Sequence, residues 1–315
     1  MMDRQTTDTV LMVEPVGFLA NPQTRADNTW QDPDEHLDAD PARVQLAALS
    51  EFRGLVTALE SAGVRVQMES DTPDPATPDS IFPNNWFSTH QDATLVLYPM
   101  CAVNRRNERR SDIVERLAGT FGYSTVVDLT RHELRGRYLE GTGSMVLDRA
   151  HRVSYMCVSG RSDTRLLESW ARFLGYSELI TFRAASASRS GELVPVYHTN
   201  VLMGIGERTA VVCTEAIEDA GERRRLTDSL EATHHTIVEI SRAQMNRCAG
   251  NVLQLRDQTG GLVWAMSTRA YDALTPEQRA LLSADSRLIH APIPVIERNG
   301  GGSVRCMLAE IFAPA

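Results

Sequence analysis

A repeating order of predicted elements constrains this chain more than any other feature. The series opens with a helix between strands at 10–18 and 64–68. Two strands, a helix and a further strand then follow one another in four later ranges: 81–129, 145–182, 201–240 and 252–292. A doubly wound parallel sheet requires strict alternation of strands and helices, which this order lacks. We therefore predict an α/β fold, a five-bladed α/β propeller of ββαβ units around a pseudo-fivefold axis, with a generic α/β sandwich as the alternative.

The clearest single element is a helix that begins at Pro41 and ends before Gly63. Asp40 provides an N-cap, and proline is favoured at the first helical position because its missing N–H has no intrahelical partner there. Apolar residues recur along the helix at Val44, Leu46, Leu49, Phe52, Val56 and Leu59. The pattern predicts an amphipathic helix packed on the core.

The composition fits a chain with a substantial core. The chain has 315 residues, of which 42% are hydrophobic, and a formal net charge of -9. We predict one catalytic domain over 1–315. Nucleic-acid binding needs a basic face that neutralises phosphates, so the acidic balance argues against a nucleic-acid partner. The basic cluster at 105–110 contains Glu108 and precedes a helical apolar pattern, and we interpret it as a solvated first helical turn.

The sequence contains no predicted targeting or membrane-spanning segment. Charged residues interrupt the first apolar stretch at Asp3, Arg4, Asp8 and Glu14. We therefore expect a cytoplasmic protein without a membrane partner. The cysteines have no CxxC or Cys/His spacing, so neither disulfides nor a metal site nor a cofactor is expected. They stand at 101, 157, 213, 248 and 306.

Conspicuous polar residues fall at equivalent places, just before or within the first strand of a unit. In a propeller these places converge at the axis, so we expect the side chains to lie near one another. The residues are Asp79, Asn84, Asn85, Glu140, His198, Asn200 and Cys306. Each alone also has an ordinary interpretation as a loop charge, a turn residue or a packed side chain.

Cys306 is the candidate nucleophile. The glycines at 300–302 before it give the backbone freedom for a close approach and an exposed side chain. A thiolate is a better nucleophile than a hydroxyl at neutral pH but needs a low pKa or a base, which His198 could supply. Glu140 could hold the imidazole or bind substrate nitrogens. The alternatives are a buried structural cysteine and a flexible glycine loop.

Several short motifs occur in an order typical of one enzyme superfamily. They are PDSIF at 78–82, LEG at 139–141, SGRS at 159–162, YHTN at 197–200 and the glycine-rich run into Cys306 and Met307. Over nearly its whole length the chain thus resembles the arginine deiminase and amidinotransferase superfamily. FPNNWFSTH at 82–90, NRR at 104–106 and NPQT at 21–24 resemble the citrulline-utilisation hydrolase group within it.

The resemblance implies the five-bladed pentein fold and a hydrolase without metal or cofactor. Matched position by position, it implies that Cys306 is the nucleophile, His198 the general acid/base and Glu140 the acidic residue beside the histidine. It also implies that Asp79 accepts hydrogen bonds from the substrate nitrogens and that Arg161 binds the α-carboxylate of the substrate. The implied partner is a small-molecule amino acid, and the sequence is compatible with a homo-oligomer.

Two positions depart from arginine deiminases, which commonly have Asp where this chain has Asn85 and often Asp where it has Asn200. A cationic guanidinium favours carboxylates, whereas a neutral ureido group also presents a carbonyl oxygen, to which an amide can donate. We therefore predict hydrolysis at the ureido carbon of citrulline or a close analogue, to ornithine, carbon dioxide and ammonia. A deiminase or dihydrolase acting on arginine or a substituted arginine is the alternative, because Asp79 and Glu140 could still hold a cation.

Three other functions stay open on the same sequence. They are amidino transfer to an acceptor amine, non-catalytic amino-acid binding on the same scaffold, and a metal-dependent ureohydrolase, which the lack of an Asp/His ligand cluster disfavours. We also expect the segment 21–40 to be a mobile loop that excludes water from the site.

Overall fold

A computed structural model describes residues 3–25, 27–34, 36, 38–187 and 192–314. Within these ranges short strands are separated by helices and turns. In chain order the strands are β1 (Thr9–Glu14), β2 (Arg65–Ser70), β3 (Phe87–Thr89), β4 (Thr94–Leu97), β5 (Thr125–Asp128), β6 (Met145–Asp148), β7 (Val153–Cys157), β8 (Glu178–Phe182), β9 (Ala185–Ala187), β10 (Leu193–Pro195), β11 (Met203–Ile205), β12 (Thr209–Val212), β13 (Thr236–Glu239), β14 (Leu253–Arg256), β15 (Leu262–Ser267), β16 (Ser286–Ala291) and β17 (Ala309–Glu310).

The helices range from a single turn to 21 residues in length. They are α1 (Pro41–Ser61), α2 (Ser111–Phe121), α3 (Gly141–Ser144), α4 (Thr164–Leu174), α5 (Ala220–Ala232), α6 (Arg242–Met245), α7 (Thr268–Ala273), α8 (Pro276–Leu282), α9 (Pro294–Gly300) and α10 (Val304–Met307). Short 3-10 helices lie at Pro83–Asn85, Asn104–Glu108, Thr130–Arg135, Thr199–Val201 and Thr214–Ala216. Of the helices in the described residues, none is both long and apolar enough to cross a membrane.

The strands form small sheets that share one pattern. In the described part of the chain, five sheets have three strands each, and the middle strand pairs antiparallel with one neighbour and parallel with the other. Their strand orders are β17-β1-β2, β3-β4-β5, β6-β7-β8, β11-β12-β13 and β14-β15-β16. β9 and β10 form a separate antiparallel pair. The fold is therefore mixed α/β, as predicted.

The sheet β17-β1-β2 joins distant parts of the sequence. β17 pairs antiparallel with β1, with Val10 opposite Glu310 and Leu11 opposite Ala309. β1 pairs parallel with β2, and a parallel pair needs a crossover connection, which contains α1. Because Cys306 lies just before β17, this pairing fixes the position of α10 relative to β1.

The predicted helix beginning at Pro41 is observed as α1. The side chain of Asp40 accepts a hydrogen bond from the backbone N–H of Ala42, as an N-cap does. Val44, Phe52 and Leu59 are buried, but Leu46 is 67% exposed, so the buried face is narrower than the apolar pattern suggested.

The predicted and observed elements differ most at two places, and both lie near the candidate site. The strand predicted over 81–88 is mostly a 3-10 turn at Pro83–Asn85, and only the residues from Phe87 onward are extended. Proline has no backbone N–H to donate to a sheet ladder, which accounts for the difference. The helix predicted over 105–119 is divided into the 3-10 helix Asn104–Glu108 and α2.

Candidate active site

Short helical turns precede the first strands of four of the three-stranded sheets in the described residues, and they carry or border the predicted polar residues. Pro83–Asn85 precedes β3, α3 precedes β6, Thr199–Val201 precedes β11 and α10 precedes β17. These turns are buried, and the turn at Pro83–Asn85 contacts both α3 and α10. Residues that lie far apart in the sequence are thereby brought to one place.

Cys306 lies in α10 and is 5% exposed. Its sulfur is 3.4 Å from Nδ2 of Asn200 and 3.2 Å from Nδ2 of Asn251. Both contacts are amide N–H donors, which stabilise negative charge on sulfur more than they stabilise a neutral thiol. The arrangement therefore suits a sulfur that spends part of its reaction cycle as a thiolate.

The glycine run before Cys306 allows a close approach of the backbone to a neighbouring side chain, as the sequence predicted. A Cβ at Gly300 would lie 2.6 Å from the ring of Phe82, and one at Gly302 would lie 2.8 Å from it. These positions require glycine for close packing on an aromatic ring. The expectation of an exposed Cys306 side chain is wrong, because this side chain is buried.

Glu140 and His198 form a buried carboxylate–imidazole pair. Nε2 of His198 is 2.8 Å from Oε2 of Glu140, and both residues are almost fully excluded from solvent. Burial by itself would raise the pKa of Glu140, but the charge of Arg161 and the hydrogen bond to His198 hold that pKa at about 2. Burial lowers the pKa of His198 from its ordinary value, although Glu140 opposes this shift. The pair is thus a carboxylate with a neutral imidazole, in which Nε2–H donates to Glu140 and Nδ1 is unprotonated.

Gly143 allows the imidazole to approach Asn85. A Cβ at position 143 would lie 2.2 Å from Nδ2 of Asn85 and 2.9 Å from Cε1 and Nδ1 of His198. Any larger side chain would therefore push these two groups apart.

Arg161 is buried and already has charged partners. Its Nη1 lies 3.5 Å from Oε2 of Glu140. Its Nε donates to Asp27 over 2.8 Å, and its Nη2 donates to the other oxygen of the same carboxylate. The guanidinium also lies 4.6 Å from the ring centroid of Tyr197. Arg161 therefore links the acidic residue of the buried pair to the segment that contains Asp27.

Asp79 has one satisfied oxygen and one open oxygen. Oδ2 accepts hydrogen bonds from Nδ2 of Asn21 over 2.7 Å and from Oγ1 of Thr24 over 3.2 Å. Oδ1 is buried and has no partner among the described residues. An unsatisfied buried carboxylate oxygen is costly unless a ligand donates to it, so Asp79 suits the binding of an N–H group.

Arg105 fixes the orientation of the Asn85 carboxamide. Its Nη1 donates to Oδ1 of Asn85 over 2.9 Å, while Nε and Nη2 each donate to Glu108 over 2.9 Å. A guanidinium only donates, so Oδ1 of Asn85 must face it and Nδ2 must point away. Nδ2 is buried without an acceptor among the described residues. The interpretation of the cluster at 105–110 as a solvated turn is therefore wrong for Arg105, which is 3% exposed.

The predicted residues surround one small cavity of about 10 Å³, which is room for about one water molecule. Glu140 adjoins it through His198, and Asn200 adjoins it through Cys306. The predicted residues in its wall are Asp79, Asn85, Arg161, His198 and Cys306. In the described ranges, no group of three or more His, Cys, Asp or Glu side chains is arranged to hold a metal ion.

Arg105 and Asn251 are among the residues of this site that the sequence analysis missed. The buried position of Arg105 was not predicted, because a run of basic residues usually lies in solvent and Arg105 belongs to such a run. Asn251 precedes β14 as Asn200 precedes β11, so the positional argument used for the other residues applies to it equally. The predicted mobile segment 21–40, except for residues 26, 35 and 37, which lie outside the described residues, includes Thr24 and Asn28 of the cavity wall.

Comparison with protein families identifies the chain. The family described as "N,N dimethylarginine dimethylhydrolase, eukaryotic" matches residues 14–313. The chain belongs to this family. It is therefore a member of the pentein, or arginine deiminase and amidinotransferase, superfamily, as the motifs predicted, and a hydrolase of the class that acts on guanidino C–N bonds. A search of curated proteins finds no significant match.

Solved structures share the pentein fold with this chain at low sequence identity. The N-terminal domain of ArgZ, described as an arginine dihydrolase from cyanobacteria and solved as a cysteine mutant with substrate, has a TM-score of 0.73 at 17% identity, covering 97% of this chain and 98% of that one. AgrE with L-arginine gives 0.73 at 17% identity, covering 98% of this chain and 40% of that one. A dimethylarginine dimethylaminohydrolase with S-methyl-L-thiocitrulline gives 0.58 at 15% identity, covering 98% and 100%.

Proposed function

We propose that Cys306 attacks the planar carbon of a ureido or guanidino group carried by an amino acid. The observation that supports this best is the convergence on one cavity of a thiol, a carboxylate-held imidazole, and an amide and a carboxylate that each have one atom without a partner among the described residues. A nucleophile, an acid/base group and groups that orient the reacting carbon are what such a hydrolysis needs.

The finer proposal is that the reacting group is the ureido group of citrulline. Arg105 holds Oδ1 of Asn85, so Asn85 presents N–H donors. Guanidinium nitrogens carry only N–H groups, and a donor facing a donor in a dry site costs about 1–3 kcal/mol. A ureido oxygen accepts from Asn85, while the open oxygens of Asp79 and Asn200 accept from ureido N–H groups.

The reaction proceeds in two steps on the same sulfur. His198 takes the proton of the Cys306 thiol as the sulfur forms a bond to the ureido carbon. It then delivers this proton to the δ-nitrogen as the bond from that carbon to the δ-nitrogen breaks and ornithine departs. Water, deprotonated by His198, then attacks the carbamoyl thioester and releases the thiolate and carbamate, which decomposes to carbon dioxide and ammonia. Glu140 holds the imidazole in the tautomer with Nδ1 unprotonated.

Arg161 is the proposed anchor for the substrate α-carboxylate. A guanidinium grips a carboxylate through two parallel bonds, and Arg161 makes such a pair with Asp27 in this structure. Arg161 can therefore bind the substrate carboxylate only if the ion pair between Arg161 and Asp27 is broken.

Hydrolysis of arginine or a methylated arginine is the second candidate. Two carboxylates, Asp79 and Glu140, remain in the cluster and favour a cationic group. The arginine dihydrolase and the dimethylarginine hydrolase among the structural relatives support the same substrate class. The first step of a dihydrolase converts the guanidino group into a ureido group. The N–H donors of Asn85 would therefore also suit the second step of a dihydrolase.

The spatial arrangement of the sheets is also a proposal. The first strands β6, β11 and β14 contact one another in series, and β17 contacts β3. These contacts support five sheets arranged around a pseudo-fivefold axis, with the turns that carry the site residues near one end of that axis.

The substrate proposal is tested with purified protein and three substrates: L-citrulline, L-arginine and an N-methylated arginine. Each substrate is incubated with and without an added acceptor amine, and ornithine, ammonia and any other amine product are quantified. We expect ornithine and ammonia from citrulline, and loss of this activity in Cys306→Ala. Cys213→Ala is the matched control, because Cys213 is also buried but lies in another packed cluster.

Turnover of arginine with citrulline left unconsumed would contradict the citrulline proposal and favour the second candidate. Product that forms only when an amine is added would indicate amidino transfer. Binding of substrate without turnover by the unmodified protein would indicate a non-catalytic binding protein.

A further inference from the structure

We propose that Asn251 is a further catalytic residue, which stabilises and positions the sulfur of Cys306. This inference rests on the proposed role of Cys306 as the nucleophile. Nδ2 of Asn251 is 3.2 Å from the sulfur, closer than the 3.4 Å of the Asn200 carboxamide. Asn251 is 3% exposed, so this contact is made in a site that excludes water.

The orientation of the Asn251 side chain follows from its second contact. Nδ2 donates over 2.9 Å to the backbone carbonyl oxygen of Asn200, which can only accept. The NH₂ group must therefore face both this oxygen and the sulfur. Oδ1 of the same carboxamide lies 3.7 Å from the sulfur and can accept from the thiol S–H. One carboxamide thus contacts Cys306 in both of its protonation states.

A tight turn in the backbone before β14 places Asn251 next to the sulfur of Cys306. Cys248 has a positive φ of 66°, and its carbonyl oxygen accepts from the N–H of Asn251 over 2.9 Å, which closes a tight turn. A Cβ at Gly250 would lie 2.5 Å from the backbone oxygen of Val201. Glycine at this position lets the turn lie directly on the segment that carries Asn200.

The donors on the sulfur are two neutral amides rather than the imidazole, whose Nε2 is engaged by Glu140. Hydrogen bonds to a charged group favour the charged form. Losing one such bond should make the sulfur less reactive as a thiolate. Asn251 is therefore expected to control the reactivity of the free enzyme before any substrate binds.

The test measures alkylation of Cys306 by iodoacetamide against pH in the full-length protein. Trypsin cleaves after Arg305, so the tryptic peptide that begins at Cys306 separates this cysteine from the other four and reports its sulfur by mass spectrometry. Wild type, Asn251→Ala and Asn251→Asp are compared. Asn246→Ala is the control, because Asn246 lies in the same connection and bonds to Ser186 instead of the sulfur.

The proposal predicts that the alkylation profile moves to higher pH in Asn251→Ala and further still in Asn251→Asp, because a carboxylate has the same shape but repels a thiolate. Asn246→Ala should match wild type. A packing role predicts the opposite order, with the isosteric Asp nearer to wild type than Ala, and that order would overturn the proposal. So would an unshifted Asn251→Ala profile in protein that unfolds at the wild-type temperature.

The outcome is separable from that of the proposed function. If neither citrulline nor arginine is consumed by wild type, the function fails, whereas a shifted alkylation profile would still assign Asn251 its contact with the sulfur. If the enzyme is active, kcat/KM of Asn251→Ala should fall by roughly 10- to 100-fold at neutral pH and recover partly at higher pH. No recovery at higher pH would count against the proposal.

Discussion

His198 and Glu140 are joined by a 2.8 Å hydrogen bond in a place that solvent does not reach, and the two residues are 58 positions apart in the sequence. The bond fixes the imidazole tautomer, because the carboxylate can only accept and Nε2 must therefore carry the proton. It also places a negative charge beside a group that is proposed to gain and lose protons during the reaction.

Glu140→Gln should reduce kcat by roughly 10²- to 10⁴-fold, because an amide can donate to Nε2 and so permits the wrong tautomer. KM should change far less, since Glu140 lies behind His198. Steady-state kinetics with the preferred substrate of the wild type would check this. An unchanged kcat would mean that His198 acts without help from its carboxylate.

The stability of the protein should depend on Glu140 in a defined pH range. The pKa of this group is lowered from 4.5 to about 2 in the folded protein, so the stability it contributes is present above pH 4.5 and is lost as the pH falls toward 2. Thermal unfolding of wild type and Glu140→Gln at a series of pH values would measure the contribution. The gap between their unfolding temperatures should be constant above pH 5 and shrink below 4.5. A gap unchanged down to pH 3 would contradict the assignment.

Gly143→Ala should disrupt the site by steric conflict. The added Cβ would lie 2.2 Å from Nδ2 of Asn85 and 2.9 Å from the ring of His198, and such overpacking costs about 1–3 kcal/mol. We expect reduced stability and loss of most activity. Gly119→Ala is the control: Gly119 lies in α2 with nothing within 4 Å of its added Cβ, and the change should stabilise the helix by about 0.5–1 kcal/mol. Equal effects of the two substitutions would argue against close packing at Gly143.

Asn85→Asp should shift selectivity toward a cationic substrate. Aspartate accepts from Arg105 as asparagine does, but its second oxygen accepts where Nδ2 donated. The ratio of kcat/KM for citrulline to that for arginine should fall by roughly 10- to 100-fold. Competition assays with both substrates would measure it, with Asn246→Asp as the control. A ratio that stays constant or rises would contradict the proposed contact between Asn85 and the ureido oxygen.

Asp27→Asn should ease substrate binding if Arg161 is the carboxylate anchor. The Asp27 side chain is 45% exposed, and its carboxylate pairs with Nε and Nη2 of the Arg161 guanidinium, so it competes with a substrate carboxylate for this group. Weakening this pair should lower KM by about two- to fivefold. Asp112→Asn, which alters a surface pair with Arg110, is the control. A raised KM would instead indicate that Asp27 helps to hold the substrate.

Much of the architecture could be predicted from local sequence patterns. The N-cap and apolar face of α1 depend on residues close together in the chain, and so do the strand–turn–strand steps such as β6 to β7. The prediction of the elements was wrong where the chain is irregular, at Pro83–Asn85 and Asn104–Glu108. These segments have no repeating pattern because their conformation is set by what they contact.

The candidate site was predictable as a set of residues but not as a network. Positions before first strands pointed to Glu140, His198 and Asn200, and the same rule would have found Asn251 had it been applied to β14. The sequence contains no comparable pattern that predicts which of these residues are hydrogen-bonded to each other, because the bonds join segments from different sheets.

The sequence alone determined the element order, the superfamily and the chemical types at the site: a thiol, an imidazole, carboxylates and amides. Only the tertiary structure decided how those groups are used. It buried Arg105 against Asn85 and so chose which end of that amide faces the cavity. It placed the side-chain amides of Asn200 and Asn251 against the sulfur of Cys306, and it paired the imidazole of His198 with Glu140 by a hydrogen bond. The physical reason is that burial removes water as a partner, so these polar groups depend on partners from other segments of the chain, which only packing brings into reach.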